Sequence, residues 1–237
     1  MPSNSLLPQD PLVLALDTSS SLGSLSLRRS KGVIVERAFE ADHGHSQRLL
    51  PAIQLAFREA GIRLSDVGLL AAVTGPGSFT GLRVSLASLR GLAGERPCFG
   101  ALTSDVAAWA MRGGQGSVLS LTDLFHGEVF GAVYDPDARR ITPLEAGGIE
   151  DVLARLGSAA EACTVAAGSA AVRHRELLES RFRSLQVHEL PEGLAPHLAT
   201  LALAQASAST CVRATDLLPF YLRDPISRGL LDPRSQR

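Results

Sequence analysis

The sequence predicts a mixed α/β protein of two lobes, and three observations carry that expectation. The chain opens with three short β-type segments before any helical pattern begins. A helical stripe, an apolar strand, a glycine-rich turn and a second helical stripe follow. A weaker set of strand-like segments recurs in the second half.

The elements follow in order. Leu12–Leu16 is an apolar strand, and Asp17–Ser21 is polar and turn-rich. Gly23–Leu27 alternates small or polar residues with leucine, so it reads as the hairpin partner; Val33–Phe39 is a third strand. From about Ser46 to Ala60, a helix would place Leu49, Leu50, Ile53, Ala56, Phe57 and Ala60 along one stripe. Gly61 is placed to end it as a C-cap. Ser65-Asp66 turns into a strand at Leu69–Val73. Next comes Gly75-Pro76-Gly77-Ser78-Phe79-Thr80-Gly81-Leu82-Arg83, then a helix with Leu82, Leu86, Leu89 and Ala93 at helical spacing. Glycines this dense force a tight path and let another backbone or a ligand come close. Ser78 or Thr80 is placed to cap the helix, and free amides at such a start attract anions. Taken alone, such a turn marks a strand–helix connection in an α/β protein.

In the second half, Ser117–Leu121, Glu128–Tyr134 and Thr164–Ala167 would make a reduced second copy of the same unit. The expected division is a disordered leader over 1–11, a first lobe over 12–100 and a second, reduced lobe over 101–194. The helix-prone, apolar stretch Ala195–Ser207 would return to the first lobe within 195–223, and 224–237, with two prolines, would be a flexible tail.

Composition bounds the function. With 237 residues, of which 45% are hydrophobic, the chain can bury a sizeable core. No apolar run approaches the roughly 20 residues of a membrane helix. The first ten residues lack the basic and apolar regions of a signal peptide. Cys98, Cys163 and Cys211 are odd in number and far apart, which fits a reducing cytoplasm and not a disulfide framework.

Three segments together are specific. They are Val13-Leu14-Ala15-Leu16-Asp17-Thr18-Ser19-Ser20, His45-Ser46-Gln47-Arg48-Leu49-Leu50-Pro51 and the glycine turn from Gly75 to Arg83. In this order and spacing the chain resembles the TsaB (YeaZ-like) family over roughly residues 12–95, with weaker matches as far as Tyr221-Leu222-Arg223. The resemblance implies a two-lobed actin-like ATPase (ASKHA, ribonuclease H-like) fold with a reduced second lobe. It also implies a catalytically silent subunit that binds TsaD and supports transfer of threonylcarbamoyl to the adenosine next to the anticodon in tRNA. A TsaE-like ATPase would join the complex, and the isolated chain would pair with itself. No cofactor is expected. With a formal net charge of −1, contact with tRNA is expected to be indirect, through a partner.

Candidate sites follow. Asp17, Thr18 and Ser19, with Gly75 and Gly77, are the possible vestigial nucleotide-facing residues, because the first hairpin turn of that fold faces phosphates. Asp17 has two readings: a holder of metal-bound water near phosphate, or a hydrogen-bonded turn carboxylate. The resemblance favours the second, since a complete ATPase site is generally lacking in the family. An independent actin-like ATPase or phosphotransferase remains the alternative, and it would need carboxylates in both lobes. His43 and His45 lack the four-residue spacing that lets two histidines share a metal on one helix face, so no metal site is expected. Ser78 lies outside a hydrolase elbow pattern. In Asp123-Leu124-Phe125-His126-Gly127-Glu128-Val129-Phe130, Phe125 and Phe130 stand where the resemblance leads one to expect Arg and Tyr. The expected partner interface comprises Arg48, Leu49, Ala52, Ile53 and Ala56 on the first helix and Gly81, Ser85, Ser88 and Leu92 on the second.

Overall fold

The computed structural model describes residues 8–40, 44–124 and 127–220. The expected leader is therefore described only from Pro8, and His43, Phe125 and the tail over 224–237 lie outside the described residues.

The first lobe is one five-stranded sheet. Strands β1 (Leu12–Asp17), β2 (Leu22–Arg29) and β3 (Gly32–Glu40) form an antiparallel meander. After helix α1 (His45–Ala60), β4 (Val67–Gly75) pairs parallel to β1. After helix α2 (Phe79–Ala93), β5 (Cys98–Leu102) pairs parallel to β4. The order is β3-β2-β1-β4-β5. β5 runs through Leu102, so the first sheet extends two residues beyond the expected end at 100.

Alternation along β1 explains why this sheet is covered on both sides. Leu12, Leu14 and Leu16 face one way and pack with Leu49, Ile53 and Ala56 of α1 and with Leu86 and Leu89 of α2. Val13 and Ala15 face the other way. There they meet Val106 and Ala107 of α3 (Thr103–Ala110), and Leu198, Ala199 and Ala202 of α7 (Ala195–Gln205). Every residue of β1 is buried, as expected for a strand between two layers of helices. Gly61 ends α1 in the left-handed conformation, at φ 63°.

The second lobe repeats the plan. Strands β6 (Ser117–Asp123), β7 (Val129–Tyr134) and β8 (Glu145–Gly147) are antiparallel. Past helix α4 (Ile149–Glu161) comes β9 (Cys163–Ala167), parallel to β6. Helices α5 (Ser169–Arg173) and α6 (Arg175–Arg181) lead to β10 (Gln186–His188), parallel to β9. The order, β10-β9-β6-β7-β8, is position for position that of the first sheet. The reduction lies in length, since β8 and β10 have three residues each. These two strands and α3 to α6 were not expected from the sequence. Helices α4 to α6 cover one face of this sheet through Leu153, Leu156, Ala170 and Leu178. Helix α3 sits between the two sheets, with Val106 and Ala107 in one core and Ala108 in the other, against Val118 and Tyr134.

Helix α7 starts after the second sheet and packs back on β1, β2 and β4 of the first. It is apolar on nearly all sides, as a helix buried on several faces must be. Its Leu198 is fully buried. Leu198→Ala is expected to cost about 2–5 kcal/mol through lost burial and an uncollapsed cavity. Thermal unfolding checks this: each kcal/mol lowers Tm by about 2–4 °C in a chain of this size.

Candidate functional site

The geometry of the first lobe centres on two loops that meet: the β1–β2 turn and the glycine turn leading into α2. The Ser78 amide donates to the Ser19 carbonyl (2.7 Å), and the Thr18 hydroxyl donates to the Gly81 carbonyl (2.7 Å). The approach is close enough to demand glycine. A Cβ on Gly77 would collide with the Ser19 carbonyl oxygen, and one on Gly81 with the Thr18 carbonyl oxygen. Gly75, at φ 112°, adopts a backbone conformation that side chains disfavour. Ser78 supplies the cap: its Oγ accepts from the Gly81 amide at 3.1 Å. Ser78 is thus committed to a structural hydrogen bond, in keeping with the absence of a nucleophile pattern around it.

The contacts continue outward from these loops. Thr103 Oγ1 donates to the Pro76 carbonyl (2.6 Å), and Thr74 Oγ1 to the Ala101 carbonyl (3.0 Å). One residue on, the Ser104 carbonyl accepts from Ser120 Oγ of the second sheet (2.9 Å). The glycine turn is therefore joined to the lobe junction by side-chain hydroxyls that each satisfy a backbone carbonyl.

Asp17 ends β1 and is 1% exposed. Its Oδ1 accepts from the Ser19 amide at 2.8 Å, closing an Asx turn. Burial raises its pKa above the ordinary carboxylate range; Ser19, the Leu194 amide at the start of α7 and nearby His45 act in the opposite direction. Thr18 and Ser19 are buried too. Asp17, Thr18 and Gly75 thus lie inside their own chain and present no open surface to a phosphate. His45 opens α1 and is itself buried. Its Nε2–H donates to the Ser20 carbonyl (2.7 Å), and its ring meets that of Phe39 edge-on at 6.4 Å. Among the described residues no cluster of His, Cys, Asp or Glu could hold a metal ion.

The second lobe has a matching junction. Gly168, at φ 105°, stands where a Cβ would collide with the Leu121 carbonyl, and Ser169 Oγ accepts from the Asp123 amide (2.9 Å). Asp123 occupies the end of β6 as Asp17 occupies the end of β1. Its carboxylate pairs with the Arg173 guanidinium at 2.8 Å. One carboxylate is buried and the other is ion-paired. Arg173 was not expected at this place; α5, the helix that carries it, is five residues long and leaves no periodic signal. Phe130, fully buried, packs against Phe220 with ring centroids 6.0 Å apart.

The two helices of the first lobe divide the expected interface set. Leu49, Ile53 and Ala56 are buried in the core beneath α1. Gly81 and Ser85 are buried as well, Gly81 against Thr18 and Ser85 with its hydroxyl turned to the Leu82 carbonyl (3.2 Å). These five were expected to meet a partner; in this chain Leu49, Ile53 and Ala56 pack on the sheet, Gly81 meets the Thr18 carbonyl and Ser85 bonds within its own helix. Arg48 is exposed, and Ala52, Ser88 and Leu92 are half-buried. Leu55, 39% exposed, shares the stripe of Arg48 and Ala52 and was not in the expected set.

Two predictions follow from this geometry. Gly81→Ala is expected to destabilise by several kcal/mol, since backbone must shift to clear Thr18, whereas Gly91→Ala on the same helix, with open space around it, is expected to gain about 0.5–1 kcal/mol; denaturant midpoints compare them. Because folding raises the Asp17 pKa, the stability it contributes is fully present below its unfolded pKa near 3.9 and is lost as pH rises through the folded value. Asp17→Asn is expected to flatten that part of the stability–pH curve while keeping the acceptor for the Ser19 amide. Asp17→Ala leaves that amide unpaired and is expected to cost about 1–3 kcal/mol at pH 7.

Comparison with known proteins adds to this picture. A family model described as "TsaD: tRNA N6-adenosine threonylcarbamoyltransferase" matches residues 26–141. A TsaB protein of tRNA threonylcarbamoyladenosine biosynthesis from Escherichia coli K12 is 34% identical over 134 residues, covering 54% of this chain and 57% of the relative. The corresponding Haemophilus influenzae protein is 41% identical over 87 residues, 36% of each chain. The chain thus spans less than two thirds of the length of these curated relatives. The solved structure of YeaZ from Pseudomonas aeruginosa superposes with a TM-score of 0.74 at 28% identity, covering 90% of this chain and all of that one. A second P. aeruginosa structure, described by similarity to peptidase YEAZ, gives 0.73 at 26% identity with the same coverage. The glycine turn, the buried hairpin turn, the paired five-stranded sheets and these likenesses agree, and the chain is similar to the TsaB (YeaZ-like) proteins in sequence and in fold.

Proposed function

We propose that this protein is a non-catalytic partner subunit in tRNA threonylcarbamoyladenosine biosynthesis, which binds a TsaD-type catalytic subunit and supports its transfer of threonylcarbamoyl to the adenosine next to the anticodon. The observation that carries this reading is the state of the two strand-end carboxylates. Asp17 is buried in its own chain and Asp123 is held by Arg173, so neither is offered to a nucleotide-bound metal ion. A chain of this architecture that keeps its framework while closing its phosphate-facing turn is suited to act through surface.

The surface we assign is the outer side of α1 and α2. Arg48, Ala52 and Leu55 on α1, with Ser88 and Leu92 on α2, supply it; the small residues allow another helix to come near, and the leucines supply apolar area. Leu49, Ile53, Ala56, Gly81 and Ser85 brace it from beneath. The same face would pair two copies when the partner is absent. A TsaE-like ATPase would join the larger assembly, and tRNA would be held mainly by other subunits, in keeping with a formal net charge of −1. Such a subunit acts by biasing the conformational balance of its partner, which requires differential contact with the partner's states. No helix among the described residues is long and apolar enough to cross a membrane.

Reconstitution tests the reading. Modification by the cognate TsaD and TsaE proteins is expected to fall to background when this protein is left out, and retained activity would overturn it. The double variant Ala52→Arg/Ser88→Arg is expected to stay folded and to lose TsaD at least tenfold in affinity. Nucleotide turnover by the pure protein that Asp17→Ala abolishes would favour an independent ATPase instead.

A further inference from the structure

Beyond α7 the chain does not trail away. Residues 206–220 cross the first lobe as an arm, and each stretch of it is held by a different contact. Val212 and Cys98 exchange a pair of backbone hydrogen bonds, both 2.9 Å, which covers part of the free edge of β5. The guanidinium of Arg90, in the last turn of α2, donates to two arm carbonyls: Nε to Ala214 (3.2 Å) and Nη2 to Leu217 (3.0 Å). Ala214 and Leu217 are buried in the core shared by β1, α1 and α2. Leu217 also fills the space above Gly100, where a Cβ would collide with it. The arm then reaches the lobe junction. The Phe220 amide donates to the Thr74 carbonyl (2.8 Å), directly before the glycine turn, and the Phe220 ring packs on Phe130 of the second sheet.

We propose that this arm is an interlobe strap latched by Arg90. It is anchored along the first lobe and, at Phe220, touches β7 of the second, so it restrains how the two sheets move relative to each other. One arginine fastens two carbonyls that no strand or helix satisfies. Because its fork is pre-organised for several donors, little freedom is lost per bond, whereas a lysine would have to serve both acceptors from a single nitrogen. Arg90 also extends from α2, one of the two helices assigned to the partner surface. Contact at that surface would therefore bear on the strap, and this last step rests on the proposed function.

Amide hydrogen exchange on the full-length chain without any partner tests the strap, so the result does not depend on TsaD binding. Arg90→Ala is expected to speed exchange of the Val212 and Phe220 amides at least tenfold, with the β1 amides unchanged. Arg90→Lys is expected to rescue only part of that protection. Phe220→Ala removes the junction contact at a residue that is 36% exposed, so it leaves the core intact. It is expected to speed exchange at residue 220 and in β7 while sparing Val212. Unchanged exchange in Arg90→Ala overturns the latch. Faster exchange near Ala214 with unchanged Phe220 also overturns it, because the arm would then not act as one unit. Should Arg90→Ala unfold, Phe220→Ala decides: unchanged exchange in β7 overturns the strap.

Discussion

The rest of the structure depends on the approach of the glycine turn to the β1–β2 turn. Two carbonyls, of Thr18 and Ser19, occupy the space that side chains at Gly81 and Gly77 would need. That approach sets where α2 begins, hence where its apolar stripe meets the sheet and where its outer side stands. It also decides chemistry. A turn pressed against its neighbour at hydrogen-bond distance spends the Ser78 amide and the Thr18 hydroxyl on carbonyls of its own chain. The motif that would attract an anion in an open loop here holds a scaffold together.

Electrostatics point the same way in both lobes by different means. In the first, a carboxylate is withdrawn from water and held by the amides of Ser19 and Leu194. In the second, a carboxylate of equivalent position stays near the surface and is matched by Arg173. The duplicated plan thus carries two distinct environments for a carboxylate at the end of a central strand.

Much of the first lobe was legible because its code is short-range. Period-two leucines in β1 and β2, a single apolar stripe in α1 and the αL glycine at 61 each fix an element from within a few residues. The second lobe was legible only where strands are long. β8 and β10 have three residues, and Val187 is the single buried residue between them, so no alternation exists to be seen. Helix α4 is interrupted at Gly157, whose φ of 52° is not helical. The expected interface set was ambiguous for another reason. An apolar stripe such as Leu49, Ile53 and Ala56 satisfies the sheet beneath it or a partner beyond it equally well on paper; only the third dimension assigns it. The Arg90 contacts with Ala214 and Leu217 join residues far apart in sequence through backbone carbonyls, which leave no trace in side-chain pattern.

The burial of β1 on both faces also has a consequence for how the protein is made. One cover, α1 with α2, is synthesised soon after the strand. The other is shared by α3 and α7, and α7 begins at Ala195, after the whole second sheet. At ribosomal speeds of about 5–20 residues per second, the roughly 90 residues between β5 and α7 take about 5–20 s to emerge. Through that interval the face of Val13, Ala15 and Ala71 has only α3 to cover it and lacks Leu198, Ala199 and Ala202. The order of synthesis thus leaves the half-built protein with a partly covered, sticky flank until the last helix arrives.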